Sequence, residues 1–133
     1  MRERHCLVLL LCLLACGGCS KTKSTAELIA DMKSPEDKDR LIAVRLLPQR
    51  KADAAQVVPA LIEALKDKEN DIRLSAAIGL GSFGEEACAA IPALQETAES
   101  GHDSRVRKAA ETALSRIDPT RFPDPSKLPA KKL

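Results

Sequence analysis

The apolar residues of this chain recur at the spacing of one face of an α-helix. The last such segment follows i, i+3, i+4, i+7, i+8 and i+11, at Val106, Ala109, Ala110, Ala113, Leu114 and Ile117. The same spacing runs through residues 72–83 and 87–98, and no segment alternates as a strand does. The pattern therefore predicts an all-α protein with helices at about 24–33, 36–50, 54–67, 69–83, 86–99 and 103–117.

The pattern itself repeats about every 33 residues. Pro59 and Pro92 lie 33 positions apart in two similar strings, Val58-Pro59-Ala60-Leu61 and Ile91-Pro92-Ala93-Leu94. Arginine recurs with nearly the same period, at Arg40, Arg73 and Arg107. One helix pair cannot bury its apolar face alone, whereas a stack of pairs creates a continuous core. We expect an α-solenoid of about three stacked antiparallel helix pairs over residues 24–118.

Polar residues at equivalent places predict where the helices begin. Residue types that suit a helix N-cap stand at one position of each repeat: Ser34, Asp67 and Gly101. An acidic residue precedes each repeated arginine by four positions, at Glu36, Glu69 and Asp103. Because residues four apart share a helix face, each acid is expected to pair with its arginine. Ser24 and Glu27 have the spacing of a capping box for the first helix.

Several strings of the chain resemble HEAT repeats. They are Asn70-Asp71-Ile72-Arg73, Ala76-Ala77, Gly79-Leu80-Gly81, Gly84 and Ile91-Pro92-Ala93-Leu94. Over about residues 24–118 the chain is similar to short bacterial HEAT-like repeats, related to those of phycobilisome lyases. The first repeat departs from this pattern, since Leu46, Pro48 and Lys51 stand where the glycines of the second repeat align. Proline at position 48 is expected to end or bend its helix early.

The resemblance also implies a binding surface. In that family the second helices of the pairs line a concave surface, which here means the helices at 24–33, 54–67 and 86–99. Their outward residues are mildly acidic, and the candidate partner-binding residues are Glu27, Asp31, Gln56, Glu63, Gln95, Glu96 and Glu99. We expect this surface to bind a basic or polar protein surface with modest, salt-sensitive affinity.

The first nineteen residues have the organisation of an export signal. A basic start with Arg2 and Arg4 precedes an apolar run, residues 7–14, which is too short to span a bilayer. The string Leu13-Leu14-Ala15-Cys16 resembles the lipobox of bacterial lipoproteins. We expect Cys16 to be the lipidation site, with Cys19 as the alternative.

A lipidated cysteine would anchor the mature protein to a membrane of the bacterial cell envelope, facing the periplasm or the exterior. Residues 1–19 then form the signal peptide and lipobox, and residues 20–23 form a short linker. Cleavage near Ala15 with release of an unanchored protein is the other interpretation.

Charge and cysteine content narrow the classes of partner. Residues 20–133 carry 19 basic and 18 acidic side chains, a balance that favours neither nucleic acid nor an anionic membrane surface. Four of the five cysteines lie in the leader, so no disulfide framework is expected. Cys88 is expected to be buried on a packed helix, and a disulfide with Cys19, which export would permit, is the alternative. Four prolines and three lysines fill much of residues 119–133, which are expected to form a disordered tail.

Three motifs invite a chemical interpretation. The string from Gly79 to Gly84 matches GxGxxG, but a helix precedes it and two acids follow it, so an inter-helix turn is expected instead. Asp67, Glu69 and Asp71 lack the glycine and the distant glutamate of a calcium loop. His102 is a single imidazole near two acids, fewer ligands than a closed metal site needs.

These patterns imply no catalytic residue, metal, cofactor, nucleic acid or small-molecule substrate, and a scaffold that binds an unknown protein partner is the leading hypothesis. A purely structural envelope lipoprotein, with the lysine-rich tail touching the cell surface, is one alternative. A lyase-like or non-catalytic accessory to an enzyme is another.

Overall fold

The computed structural model describes residues 22–127. The predicted signal at 1–19, the two candidate lipidation sites Cys16 and Cys19, and the last six residues lie outside the described residues. Within that range the chain forms helices and short 3₁₀ segments and no strand, which confirms the all-α prediction. The helices are α1 (Thr25–Asp31), α2 (Asp37–Leu46), α3 (Ala54–Ala64), α4 (Asn70–Phe83), α5 (Ile91–Ser100) and α6 (Ser104–Ile117).

Two of these helices, α2 and α5, depart most from their predicted bounds. Helix α2 ends at Leu46, and a 3₁₀ segment over Leu47–Gln49 contains Pro48, which confirms the expected early end. Helix α5 begins at Ile91 because residues 84–90 form a 3₁₀ segment, with Pro92 in the first turn of the helix that follows. Pro59, its counterpart one repeat earlier, lies inside α3.

The helix starts correct the predicted caps. Ser24 and Glu27 form the expected capping box. The N-caps of α2, α4 and α6 are instead Glu36, Glu69 and Asp103, two residues later than expected. The side chains of Ser34 and Asp67 accept hydrogen bonds from the N–H groups of those first two caps, at 3.1 and 2.9 Å, so they order the turn before the helix.

The buried side chains form one core that runs along the stack. Its fully buried members are mostly leucine, isoleucine and valine, at Leu28, Leu47, Leu61, Ile72, Leu80, Leu94, Ile117, Val44, Val57 and Val106. Every helix contributes at least one of them. The core therefore crosses the boundaries between repeats, as a stack of helix pairs requires.

The helices lie in two rows of different spacing. Helices α2, α4 and α6, here called the inner row, pack directly against one another, most extensively α4 against α6. Helices α1, α3 and α5, the outer row, make few direct contacts with one another. In a curved stack the row with the closer contacts lies on the concave side, so this packing favours α2, α4 and α6 for that side, whereas the sequence predicts it for the helices at 24–33, 54–67 and 86–99.

Two glycines permit the close approach within the inner row. A Cβ atom at Gly79 would lie 2.7 Å from Pro48 Cγ, and one at Gly81 would lie 3.0 Å from Ala113 Cα. Both glycines are helical, which corrects the expectation that they belong to an inter-helix turn. Only Gly84, with φ of 57°, occupies the left-handed turn after α4.

The start of the predicted disordered tail is folded. Asp118 Oδ1 accepts hydrogen bonds from the N–H groups of Thr120 and Arg121, and the N–H of Phe122 donates to the Asp118 carbonyl. The ring of Phe122 packs half-buried against the core, and Pro125–Lys127 forms a 3₁₀ turn. One aromatic side chain thus holds residues 119–127 against the stack, so the expectation of disorder from residue 119 is corrected for this part.

Candidate functional site

The three repeated arginines fold back over the turns that precede their helices. Nη1 of Arg40 donates to the Ser34 carbonyl and Nη1 of Arg107 to the Gly101 carbonyl, both at 2.9 Å. Nη1 of Arg73 donates to the Asp67 carbonyl in the same way. Each bond joins residues six apart, so the repeated arginine closes the turn between an outer-row and an inner-row helix.

The predicted pairs of these arginines with acids four residues earlier are therefore wrong. Glu36, Glu69 and Asp103 are N-caps, and their backbones are extended rather than helical. The rule that residues four apart face each other applies only where both residues are helical. A residue at the N-cap does not meet that condition.

One arginine also joins two successive repeats. Nε of Arg40 lies 2.8 Å from Asp67 Oδ2, and Nη2 lies 3.2 Å from Oδ1, a two-pronged contact between side chains that are 9% and 13% exposed. Burial opposes ionisation of Asp67, but the bonds from Arg40 and the Glu69 N–H outweigh it and hold the pKa of this carboxyl below its usual value. Gly101 occupies the equivalent place one repeat later and has no carboxylate, so this bridge is not repeated.

The three acids that were compared with a calcium loop, Asp67, Glu69 and Asp71, do not share one site. Asp67 accepts from Arg40, while Asp71 lies 3.4 Å from Arg105 on α6. Glu69 caps α4 between them without a side-chain hydrogen bond to that helix. Their placement is explained by turn geometry and ion pairs.

The seven candidate partner-binding residues fall on the outer row, but three of their five acids already have partners. Glu27 belongs to the capping box, Asp31 lies 2.6 Å from Lys23, and Glu63 lies 3.7 Å from Lys66. Glu96 and Glu99 are exposed on α5. The acidic character expected from the sequence is thus reduced by neighbouring lysines.

Two grooves separate the outer-row helices. The first, of about 350 Å³, lies between α1 and α3, and Gln56, Pro59 and Glu63 line it. The second, of about 440 Å³, lies between α3 and α5, and Glu96 lines it with His102. The structure brings Gln56 and Glu63 together, places Glu96 in the next groove, and leaves Glu27, Asp31, Gln95 and Glu99 outside both linings.

The inner row carries a second pair of grooves that the sequence interpretation missed. One, of about 370 Å³, lies between α2 and α4, and the other, of about 420 Å³, between α4 and α6. Small residues make up much of their linings: Ser75, Gly79 and Ser82 in the first, and Ala77, Gly81, Ala109 and Ala113 in the second. Ile78 on α4 lines both grooves and is 54% exposed. An apolar side chain therefore stands at the centre of the inner row, between two recesses.

Basic side chains surround this isoleucine. Arg45 lines the groove next to α2, while Arg105, Lys108 and Arg116 line the groove next to α6. Neither lining includes an acidic side chain among the described residues. We call Ile78, these four basic residues and the two grooves the inner-row surface.

A signal for this surface exists in the sequence. The buried stripe of α4 follows Ile72, Ala76, Leu80 and Phe83, and Ile78 lies off that stripe. Its equivalents in the neighbouring repeats are Arg45 and Thr112, both polar. A lone isoleucine at a position that is polar in the other repeats marks exposed apolar surface. The direction of curvature, which makes the position prominent, comes only from the packing.

The remaining candidates for chemistry lie apart from the inner-row surface. His102 is exposed in the turn before α6. Cys88 is exposed on the 3₁₀ segment between α4 and α5, which corrects its expected burial, because that segment turns its core-facing side at Ala87 and Ala90 instead.

Comparison with known proteins agrees with the packing. Residues 25–115 match the family model described as HEAT repeats. No curated protein matches the sequence.

None of the helices in the described part of the chain is both long and apolar enough to cross a membrane.

Proposed function

The chain belongs to the family of HEAT-repeat proteins, and from that premise we propose that it is a non-catalytic, lipid-anchored scaffold of the bacterial cell envelope. Its task is to hold a protein partner on the inner-row surface. Helical repeats suit this task because they present extended surfaces on a rigid stack.

The inner-row surface carries this proposal. Ile78 is exposed on the central helix, at a place where the stack has recesses on both sides. Exposed apolar side chains next to grooves are the usual anchors of protein interfaces. The outer row, by contrast, presents acids that are partly paired with lysines. The geometry therefore favours the inner row over the acidic residues expected from the sequence.

The anchor rests on the leader sequence. A basic start, an apolar run and Cys16 or Cys19 support export with lipidation. Helix α1 begins at Thr25, so an anchor at either cysteine would hold the stack close to the membrane surface. Palmitate labelling of the full-length chain in cells tests this step. Label should be lost in the Cys16→Ser plus Cys19→Ser variant, and label that persists would remove the anchor from the proposal.

Site-specific photo-crosslinking in cells tests the binding surface. A photoreactive residue at Thr112, on the inner row, should capture a discrete protein, whereas the same residue at Glu96, on the outer row, should not. Both positions are exposed and helical, so they form a matched pair. Capture only at position 96 would favour the acidic outer row, and capture at neither would favour a purely structural role.

A further inference from the structure

We propose that the segment held on the inner-row surface is an acidic amphipathic helix, lying in the groove between α4 and α6. This inference rests on the proposed function and adds the chemistry of the partner. It follows from the charge, the length and the shape of that groove.

The charge of the groove favours an acidic partner. Arg105, Lys108 and Arg116 line it without an acidic side chain among them. Arg105 is partly neutralised, since it lies 3.0 Å from Asp103 and 3.4 Å from Asp71. Lys108 and Arg116 take part in no ion pair within residues 22–127. Carboxylates of a partner would meet two cations that have no counter-ion within the described residues.

The length of the groove fits a helix of about three turns. The basic residues run along α6 from position 105 to position 116, about 16 Å at the rise of an α-helix. A bound helix whose apolar residues fall at i, i+3, i+4 and i+7 presents one face to the groove. That face would contact Ile78 and the small lining residues Ala109 and Ala113, and its flanking carboxylates would reach Lys108 and Arg116.

The shape of the surface favours a protein segment over a membrane. Ile78 lies on the middle helix of the inner row, with a recess on each side. A flat bilayer surface would touch the edges of such a recess and leave its floor empty. A helix fills it, because the small residues of the lining let a second backbone approach closely.

A fluorescence anisotropy titration tests the inference on the full-length protein in detergent. The probe is a labelled helix of about 15 residues, with leucine on one face and glutamate elsewhere; the reference probe has lysine in place of every glutamate. We expect the glutamate probe to bind roughly tenfold more tightly at low salt and to lose that advantage as salt rises.

Two matched pairs of variants locate the site. Ile78→Ser should weaken binding of the glutamate probe about tenfold, while Ile42→Ser should not, although both isoleucines are 54% exposed. Lys108→Glu plus Arg116→Gln should weaken it by a similar factor, while Lys33→Glu plus Lys66→Glu on the outer side should not.

Three results would overturn the inference. The first is equal binding of the glutamate and lysine probes. The second is an equal loss of probe affinity in a variant and in its control. The third is that the protein binds vesicles of phosphatidylcholine and phosphatidylglycerol in a 4:1 ratio but does not bind the glutamate probe. Because the salt titration uses the unaltered protein, a variant that fails to fold does not leave the question open. If a protein is captured at Thr112 but the glutamate probe does not bind, the proposed scaffold function stands and only the acidic helix as its ligand is rejected.

Discussion

At the scale of single residues, the contact between Arg40 and Asp67 is the clearest link between two repeats. It joins helix α2 to the turn before α4 through two hydrogen bonds from one guanidinium group. The same guanidinium also closes its own turn by donating to the Ser34 carbonyl. One side chain thus fixes the geometry within a repeat and between repeats.

Replacement of Arg40 by alanine should lower the melting temperature by roughly 5–10 °C, because it leaves the largely buried Asp67 carboxylate without its partner. Lys68→Ala is the control, since Lys68 makes only an exposed contact with Asp37 at 3.6 Å. Thermal unfolding followed by circular dichroism distinguishes them. Equal melting temperatures for the two variants would show that the contact adds no stability.

The lowered pKa of Asp67 gives the contact a pH dependence. A carboxyl whose pKa is depressed by folding stabilises the native state above its usual value of 3.8 and loses that contribution as pH falls through the lower folded pKa. The unfolding free energy of the native chain should therefore exceed that of Asp67→Asn at pH 6, and the difference should shrink below about pH 4. A difference that grows on acidification would contradict the assigned direction.

At the scale of the helices, the periodic pattern predicts which segments are helical. The roles of individual residues where helices meet depend on packing. The spacing of apolar residues, together with the 33-residue repeat and the cap residues, predicts all six helices of the described part, and Pro48 correctly predicts the early end of α2. The roles of Gly79 and Gly81 could not be predicted, because a glycine near a helix end is equally consistent with a turn. Only the positions of Pro48 and Ala113 against them show that they permit close packing.

Gly81→Ala tests this packing role. Alanine favours a helix over glycine by about 1 kcal/mol, so an unconstrained site would be stabilised. Here the added Cβ would meet Ala113 backbone at 3.0 Å, and we expect a net destabilisation of about 1–2 kcal/mol. Chemical denaturation measures it, with the exposed Thr112→Ala as control. A stabilised Gly81→Ala protein would show that α4 and α6 are not held together this closely.

The folded beginning of the C-terminal segment depends on one aromatic ring. Phe122→Ala should detach residues 119–127 and speed proteolysis there, while the exposed Thr120→Ala loses only a hydroxyl contact with Asp118. Mass spectrometry after limited digestion compares the cleavage rates. Unchanged cleavage after loss of the ring would mean that Phe122 does not hold this segment.

At the scale of the whole molecule, the two rows of helices carry surfaces of different character. The outer row carries the acidic residues that are prominent in the sequence, and two of them, Asp31 and Glu63, have lysine partners. The inner row carries Ile78 and four basic side chains around two grooves. The sequence reveals the residues of both surfaces, but the curvature that makes one row the inner one arises from helix contacts across repeats.

The central claim is that the inner-row surface holds the partner, and quantitative co-isolation from the cell envelope tests it most directly. The full-length chain, Ile78→Asp and Ile42→Asp would be isolated in parallel, and the proteins recovered with each would be measured by mass spectrometry. The two isoleucines have equal exposure, and only Ile78 lines the grooves. The account predicts a protein recovered with the native chain and with Ile42→Asp, and lost with Ile78→Asp. Recovery of that protein with all three chains, or its loss with both variants, would contradict the inner-row surface as the binding site.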